Sequence, residues 1–394
     1  MIRTLAVDGY RSIRSLVLEL DRLTVVTGAN GVGKSSLYRA LRLLAECALG
    51  GVVGAVAREG GLASTLWAGP ATIGRAVRAG EHPVQGTTRT GPVALRLGFA
   101  SDDLGYAVDL GLPQQQRLPD GTRHPFANDP EIKVEAVWTG PLPRPATLAA
   151  ERRGPLVRVR DDDGAWQQRP GRLRTFESML TEVVDPAGAP ELLEVRERLR
   201  GWRFYDQLRT DADSPARRPQ VGTRTPVLGP DGGDLAAALA TIVDLGLGDD
   251  LERAVSRAFP GSRLEVDARD GRFEVTLHQH GLLRPLTAAE LSDGTLRYLL
   301  WVAALLTPRP PELLVLNEPE TSLHPDLLPA LGELVREAAE RTQVVVVTHS
   351  APLVAAVGVG DGVARVELVK DFGETGVAGR EGPLDQPRWS WPAR

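Results

Sequence analysis

The chain has 394 residues, enough for one large α/β domain with insertions. Apolar residues make up 42% and charged residues 25%, which excludes a disordered chain and supplies a sizeable core. A formal net charge of −5 excludes non-specific coating of nucleic acid by the whole surface, while leaving room for a local basic groove.

The opening MIRTLAVDGYRSI has no apolar leader core and no cleavage site, and no run is long enough to span a bilayer. The expected location is therefore cytoplasmic, with no membrane partner. Residues 1–9 alternate and are expected to form an edge strand, with 13–20 as a second strand. LTVVTG at 23–28 reads as a buried strand that runs into a glycine loop. Ser35 to Ala48 predicts a helix with Leu37, Leu41, Leu44 and Ala48 on one stripe. The single cysteine, Cys47, excludes an intrachain disulfide and a thiolate metal site, and reads as a small buried residue of that helix. Gly-rich sequence at 50–61 reads as a loop or a frayed helix end.

Residues 92–97, 104–110 and 131–138 predict strands of an antiparallel sheet, and 156–160 with Trp166 a further hairpin around DDDG. From 173 to 209 the pattern becomes helical, most strongly in LLEVRERLRGWRFYDQL. Residues 211–233 read as a long loop, 234–257 as helix, and 263–278 as a hairpin turning at Asp270-Gly271. A second strong helix covers 291–306. Then come a buried strand at 313–316, a helix at 326–340, a buried strand at 343–347 and a late strand at 363–369. The polar tail from about 374 is expected to be a loop.

Gly28-Ala29-Asn30-Gly31-Val32-Gly33-Lys34-Ser35 fits G-x-x-x-x-G-K-S in full, between a strand and a helix. The glycines let backbone N–H groups curl around a phosphate, and the helix dipole adds positive charge. Lys34 is placed to reach the β- and γ-phosphates of a nucleotide, and Ser35 to offer an oxygen to Mg²⁺. Asn30, Gly31, Gly33 and the following Ser36 complete the candidate phosphate-binding set.

Leu313 to Leu316 delivers Asn317 and Glu318 from a buried strand. An Asp is usual where Asn317 stands, and a neutral amide oxygen attracts Mg²⁺ more weakly. Glu318 is the candidate acceptor for a proton from an attacking water; its alternative is a cap on the following turn. Leu291-Ser292-Asp293-Gly294-Thr295 opens a helix, with Ser292 as N-cap and Gly294 exposing backbone N–H groups. His349 follows the strand VVVV. A histidine there is either structural or placed to hold the nucleophilic water or sense the γ-phosphate.

Together these segments resemble the ABC-type ATPase heads of the SMC/RecF/OLD-like group. Gly28 to Ser35 matches the Walker A loop, Leu313 to Glu318 the Walker B strand, and Leu291 to Thr295 the signature motif. Ser322 to Asp326 matches the D-loop region, and His349 the switch histidine. Their order agrees with the group, with 26 residues from Ser292 to Glu318 and 31 from Glu318 to His349. The opening VDGYRSIRSLVLEL is similar to the group's first hairpin, and GWRFYDQLR and GTRTPVL to a bacterial subfamily of AAA-family ATPases without long coiled coils. Asn317, Asp293 and Thr295 depart from the pattern, and Gln114 to Gln116 are loose candidates for the Q-loop. No zinc hook, hinge or C-terminal nuclease domain is expected.

The resemblance implies a P-loop NTPase fold of the α/β class. This is an ABC-type head with a mixed core sheet, an antiparallel side sheet and an inserted helical lobe. It places the N-terminal part of the head at 1–170, the helical lobe at 171–262, and the C-terminal part at 263–394. It implies ATP and Mg²⁺ as ligands, with Ser35 and Asn317 at the metal and Lys34, Glu318 and His349 in catalysis. It further implies a homodimer on ATP binding, in which Ser292 and Gly294 of one copy meet the ATP of the other. Duplex DNA and a protein partner encoded nearby are the candidate partners, with work in DNA repair, maintenance or phage defence. The alternatives are a regulatory ATPase and a low-turnover scaffold acting through a protein; a transporter subunit fits less well. The basic positions considered for DNA are Arg152, Arg153, Arg158 and Arg160, and Arg217, Arg218 and Arg224, each otherwise a solvated loop charge.

Overall fold

The computed structural model describes residues 1–69, 94–114, 117–206, 208–380 and 385–394. Its chain divides into two units. Residues Met1–Asp21, Thr27–Trp202 and Val366–Arg394 make the first, and Arg22–Val26 with Arg203–Arg365 the second.

In the first unit Ile2–Tyr10 (β1) and Ile13–Glu19 (β2) form an antiparallel hairpin. Leu23–Gly28 (β3) begins in the second unit and ends in the first. It leads into Lys34–Ala48 (α1), followed by the short helices Val52–Arg58 (α2) and Leu62–Thr65 (α3). Then come Leu95–Ser101 (β4), Leu104–Gly111 (β5), Glu131–Thr139 (β6), Leu148–Arg153 (β7), Leu156–Arg160 (β8) and Trp166–Gln168 (β9). Met179–Glu182 (α4) and Pro190–Gly201 (α5) close this stretch. The strands make one antiparallel sheet in the order β2-β1-β4-β5-β6-β7-β8-β9.

The expected antiparallel sheet is therefore present, with two differences. β1 lies between β2 and β4 instead of at an edge. β7 was not anticipated. Pro92 and Val93, expected to start a strand, lie outside the described residues.

β5 is buried along its whole length because both of its faces are covered. Helices α1 and α5 lie against the sheet. On the alanine face Ala100, Ala107 and Ala136 leave room for Trp138, Trp389 and Trp391. The tail from about 374 was expected to be a loop; Glu374–Val377 is a strand, and 387–394 are without helix or strand. That end is packed down: its two tryptophans meet Trp138 edge to face in series, with ring centroids 5.7 and 5.3 Å apart, and Arg394 forks onto the Asp109 carboxylate at 2.7 Å. Such aromatic pairs add to area burial by roughly 0.5–1.5 kcal/mol each.

In the second unit Arg203–Tyr205 (β10) is followed by Gln220–Val221 (β11), Leu235–Asp244 (α6), Gly248–Ala258 (α7), Arg263–Arg269 (β12), Arg272–His278 (β13) and Leu286–Thr287 (β14). Asp293–Leu305 (α8), Leu313–Asn317 (β15), Leu328–Ala339 (α9), Gln343–Val347 (β16) and Ala351–Val357 (α10) complete it. The segment 173–209 is thus not one helical region. Its last part is a strand, paired in parallel with β15 from Arg203↔Leu314 to Tyr205↔Leu316. Three residues of Arg-Phe-Tyr are too few to break the helical periodicity that precedes them. The expected hairpin at Asp270-Gly271 is present, with both turn residues at positive φ (51° and 72°) as a two-residue primed turn requires.

β16 lies between β15 and the first half of β3, all parallel, with Asn317↔Val347 and Val26↔Val347 in register. The core of this unit centres on α8, which is buried on almost every side from Leu296 to Leu305. A helix apolar all round belongs in the interior, which is what the 291–306 run encodes. The late strand Val363–Asp371 (β17) carries the chain back into the first unit, where it pairs with Glu374–Val377 (β18). Among the described residues no helix is long and apolar enough to cross a membrane.

Candidate functional site

The phosphate loop leaves β3 at Gly28 and enters α1 at Lys34, as its motif predicts. Gly28 has φ 142°, and a Cβ there would lie 2.4 Å from the Leu368 carbonyl oxygen. Gly33, the N-cap of α1, has φ 112°, and its Cβ would lie 2.2 Å from Thr375 Oγ1. Both positions therefore require glycine for conformation and for space. The first turn of α1 carries no acidic residue to compete for its N–H groups. Lys34 is buried, and its ammonium donates to the carbonyls of Gly28 at 2.7 Å and Ala29 at 3.0 Å. Asn30, Gly31 and Ser35 are exposed, and Ser36 is half-buried with Ser12 Oγ 3.5 Å from its hydroxyl.

Thr375, outside every expected set, holds the loop from behind. Its buried hydroxyl donates to the Val32 carbonyl at 2.7 Å and meets Ser12 Oγ at 2.8 Å, while Lys370 Nζ donates to Gly31 O at 3.1 Å. No local signal marks Thr375, because it stands 343 residues from Val32 in a stretch that reads as loop.

In the second unit the residues after β15 and β16 converge. Glu318 N–H donates to the Val347 carbonyl at 2.7 Å, continuing the ladder one residue past β15. Glu318 then turns the chain at φ 50°, a left-handed conformation that costs a non-glycine residue of order 1 kcal/mol or more. Its carboxylate Oε1 lies 3.6 Å from His349 Nδ1, both side chains being partly exposed. The alternative role for Glu318, as a turn cap, belongs to its backbone, where its carbonyl accepts from Thr321 N–H at 3.0 Å. Asn317 Oδ1 is buried without a hydrogen-bond partner among the described residues. An orphaned amide oxygen at the end of a buried strand suits a donor or a hard cation, so the chemistry of this position fits Mg²⁺.

Ser292 caps α8 as expected: its Oγ accepts from Thr295 N–H at 3.2 Å. Gly294 faces the D-loop region, where a Cβ on it would lie 3.2 Å from the Ser322 carbonyl oxygen. Trp301, two turns further along α8, donates from its ring N–H to the Pro319 carbonyl at 2.9 Å, tying α8 to the turn after β15. Burial pushes the Arg297 guanidinium below its ordinary value, and the nearby Asp293 carboxylate opposes that shift.

Two arginines considered for DNA are not at the surface. Arg152 is fully buried in an ion pair with Glu135 at 3.1 Å and donates to the Gly154 and Arg174 carbonyls. Arg217 is buried and donates to the carbonyls of Thr210, Ala288 and Leu291 and to the Asp293 carboxylate. Both sit among carboxylate and carbonyl oxygens that only a buried guanidinium satisfies, which sequence-local charge cannot reveal. Arg153 and Arg158 pair with Glu151, and Arg158 and Arg160 stack on Trp166 at 4.4 and 4.8 Å. Arg218 and Arg224 remain largely exposed, beside Asp213 and Asp244. Of the Q-loop candidates, Gln114 is exposed in a bend and Gln115 and Gln116 lie outside the described residues.

Comparisons with known proteins bear on the fold and the family of the chain. The structure titled "Crystal structure of the SmcHead bound to the C-winged helix domain of ScpA" superposes over 96% of this chain and 97% of its own, with a TM-score of 0.54 and 13% identity. An SMC head domain from Thermotoga maritima covers 97% of this chain and 99% of its own at 13% identity, with a TM-score of 0.43. No curated protein matches the chain in sequence. Residues 23–356 match the family model described as "AAA domain, putative AbiEii toxin, Type IV TA system". The likeness to the SMC head shows a P-loop NTPase fold of the kind that SMC heads have. The chain belongs to that AAA-domain family.

Proposed function

We propose that the chain binds and hydrolyses ATP with Mg²⁺, and that two copies assemble on the nucleotide. The observation that supports this most is the meeting of Glu318 and His349 at the carboxyl ends of β15 and β16. A strained, partly exposed carboxylate stands there beside an imidazole, as expected of groups that handle a water. In this reading Lys34 draws in the β- and γ-phosphates, with the N–H groups of Gly31, Gly33 and the first turn of α1. Ser35 and the orphaned Asn317 oxygen are the side chains offered to Mg²⁺, which when bound would offset the phosphate charge. Glu318 takes the proton of the attacking water.

The exposed N-terminus of α8, with Ser292 and Gly294, meets the γ-phosphate held by a second copy. The ATP-bound dimer holds duplex DNA through sequence-independent phosphate contacts, which suits repair, maintenance or phage defence. The second reading is a regulatory ATPase acting through a protein partner, or a scaffold with little turnover. It is favoured by the family description, which points to a toxin–antitoxin system, and by the pairing of the arginines considered for DNA with acidic, carbonyl or aromatic groups. Measuring ATP turnover and oligomeric mass together, with and without duplex DNA, tests both. No turnover under any of these conditions would leave the scaffold reading.

A further inference from the structure

Glu320 is a residue of the turn after β15 that the proposed chemistry does not use. Its side chain is only 7% exposed. One oxygen, Oε1, accepts from the Thr348 hydroxyl at 2.6 Å and from the His349 backbone N–H at 3.1 Å, and lies 3.2 Å from His349 Nδ1. The other oxygen, Oε2, is buried with no hydrogen-bond partner among the described residues. Burying a carboxylate with half its acceptor capacity unmet is costly, and an apolar residue of similar size would fill the space without that cost. Packing therefore does not explain Glu320. All three contacts of Oε1 fall on Thr348 and His349.

Two carboxylates face the same ring nitrogen, and distance and burial decide between them. Glu318 Oε1 at 3.6 Å is beyond hydrogen-bond range and its side chain is 38% exposed, whereas Glu320 Oε1 is 0.4 Å nearer and buried. Attraction is screened less in the interior, so of the two it is Glu320, through a close ion-pair contact and not an aligned hydrogen bond, that favours a proton on Nδ1. A neighbouring carboxylate of this kind biases which imidazole nitrogen carries the proton.

We propose that Glu320 is the positioning residue of His349. It fixes the imidazole in the Nδ1–H tautomer and leaves the Nε2 lone pair as an acceptor for water. It also leaves Glu318 unencumbered as the proton acceptor. The tautomer assignment stands on geometry alone; its consequence for turnover rests on the proposed ATP hydrolysis.

The test is a two-bond proton–nitrogen correlation spectrum of the full chain labelled with ¹⁵N-histidine. The chain has six histidines, and loss of one signal set in His349→Gln assigns the residue. The expected wild-type pattern is a protonated Nδ1 and a bare Nε2. In Glu320→Ala the pattern shifts toward the Nε2–H tautomer, while Glu320→Gln, whose amide oxygen still accepts, retains Nδ1–H. ATP turnover should fall at least tenfold in Glu320→Ala with the Kd for ATP within about twofold, and Glu320→Gln should recover most of it. A wild-type Nε2–H tautomer overturns the proposal before any variant is made. So does an unchanged pattern in Glu320→Ala or, should that variant not fold, in Glu320→Met. A shifted tautomer with unaltered turnover supports the positioning and instead overturns the role of His349 in hydrolysis.

Discussion

Arg217 and Asp293 form an ion pair of 2.6 Å at the first residue of α8. In the proposed dimer this helix end meets the phosphate held by a second copy, and a bare carboxylate there would repel it. The Arg217 guanidinium neutralises it. Asp293 is 61% exposed, so the pair itself contributes no more than about 1 kcal/mol. The larger contribution is the three buried carbonyls that Arg217 satisfies. Arg217→Ala should therefore lower stability by about 3 kcal/mol, against less than about 1 kcal/mol for Asp293→Ala. Chemical denaturation of both variants checks the order; equal losses would mean that the ion pair, not the carbonyls, carries the effect.

Lys34 should be indispensable for nucleotide. With its ammonium held on the Gly28 and Ala29 carbonyls, it is already at the mouth of the loop when the phosphates arrive. Lys34→Ala should abolish measurable ATP binding in a folded protein. Thr375→Val removes the hydroxyl that anchors the Val32 carbonyl, and affinity should fall roughly tenfold, about 1.4 kcal/mol. Calorimetry with ATP reads both. Wild-type affinity in Lys34→Ala would remove the phosphate loop from the site.

These two cases show what local sequence carries and what it does not. The phosphate loop was legible because its eight residues form a local motif between a strand and a helix. The all-round apolar helix α8, the Asp270-Gly271 hairpin and the buried strands β15 and β16 were legible through periodicity and turn chemistry. Thr375, Arg152 and Arg217 were not, because their partners lie far away in sequence. Thr375 meets Val32 across nearly the whole chain, and a buried arginine reads in sequence like any other loop charge. β10 was hidden by the helical pattern around it, and the docked tail by its polar, Pro-rich composition. Glu320 stood in plain view after Glu318, but its burial against Thr348 follows only from the pairing of β15 with β16.

ATP with Mg²⁺ should shift the protein from monomer to dimer. On the proposed function the N-terminus of α8 supplies the surface, and Ser292→Arg should block assembly by filling it. The lost cap costs only about 1 kcal/mol of stability, so the variant should fold and bind ATP normally. Light scattering at several protein concentrations is the measurement. A mass independent of ATP in the wild type would exclude nucleotide-driven assembly.

If the ATP-bound form holds duplex DNA, the contacts come from arginines that stay exposed, Arg218 at 67% and Arg224 at 71%. Replacing both by Ala should weaken binding at low salt and reduce the slope of log affinity against log salt by about 2. Removing either buried arginine should leave that slope unchanged in any variant that folds. An unaltered slope in the double variant, or no binding by wild type at low salt, would favour the protein-partner reading.

Glu318 and Asn317 decide whether the chain is an efficient enzyme. Glu318 is held in a left-handed backbone conformation, a strain that glycine would relieve. Glu318→Gly should therefore raise stability by about 1 kcal/mol while abolishing turnover, because the proton acceptor is gone. Glu318→Gln keeps the backbone strain and a side chain of the same size but cannot take the proton. It should bind ATP, assemble, and stay assembled far longer than wild type. On the proposed function Asn317 would offer Mg²⁺ only a neutral oxygen, a weaker hold than a carboxylate gives, and wild-type turnover should be slow. Asn317→Asp should lower the Mg²⁺ concentration needed for half-maximal turnover. The competing assignment makes Glu318 itself the Mg²⁺ ligand. On that assignment Glu318→Gln would fail to form a lasting Mg-ATP dimer, where the general-base assignment expects one too stable to dissociate. Dimer lifetime and turnover measured on the same preparation of Glu318→Gln separate the two, and wild-type turnover in that variant excludes Glu318 as the base.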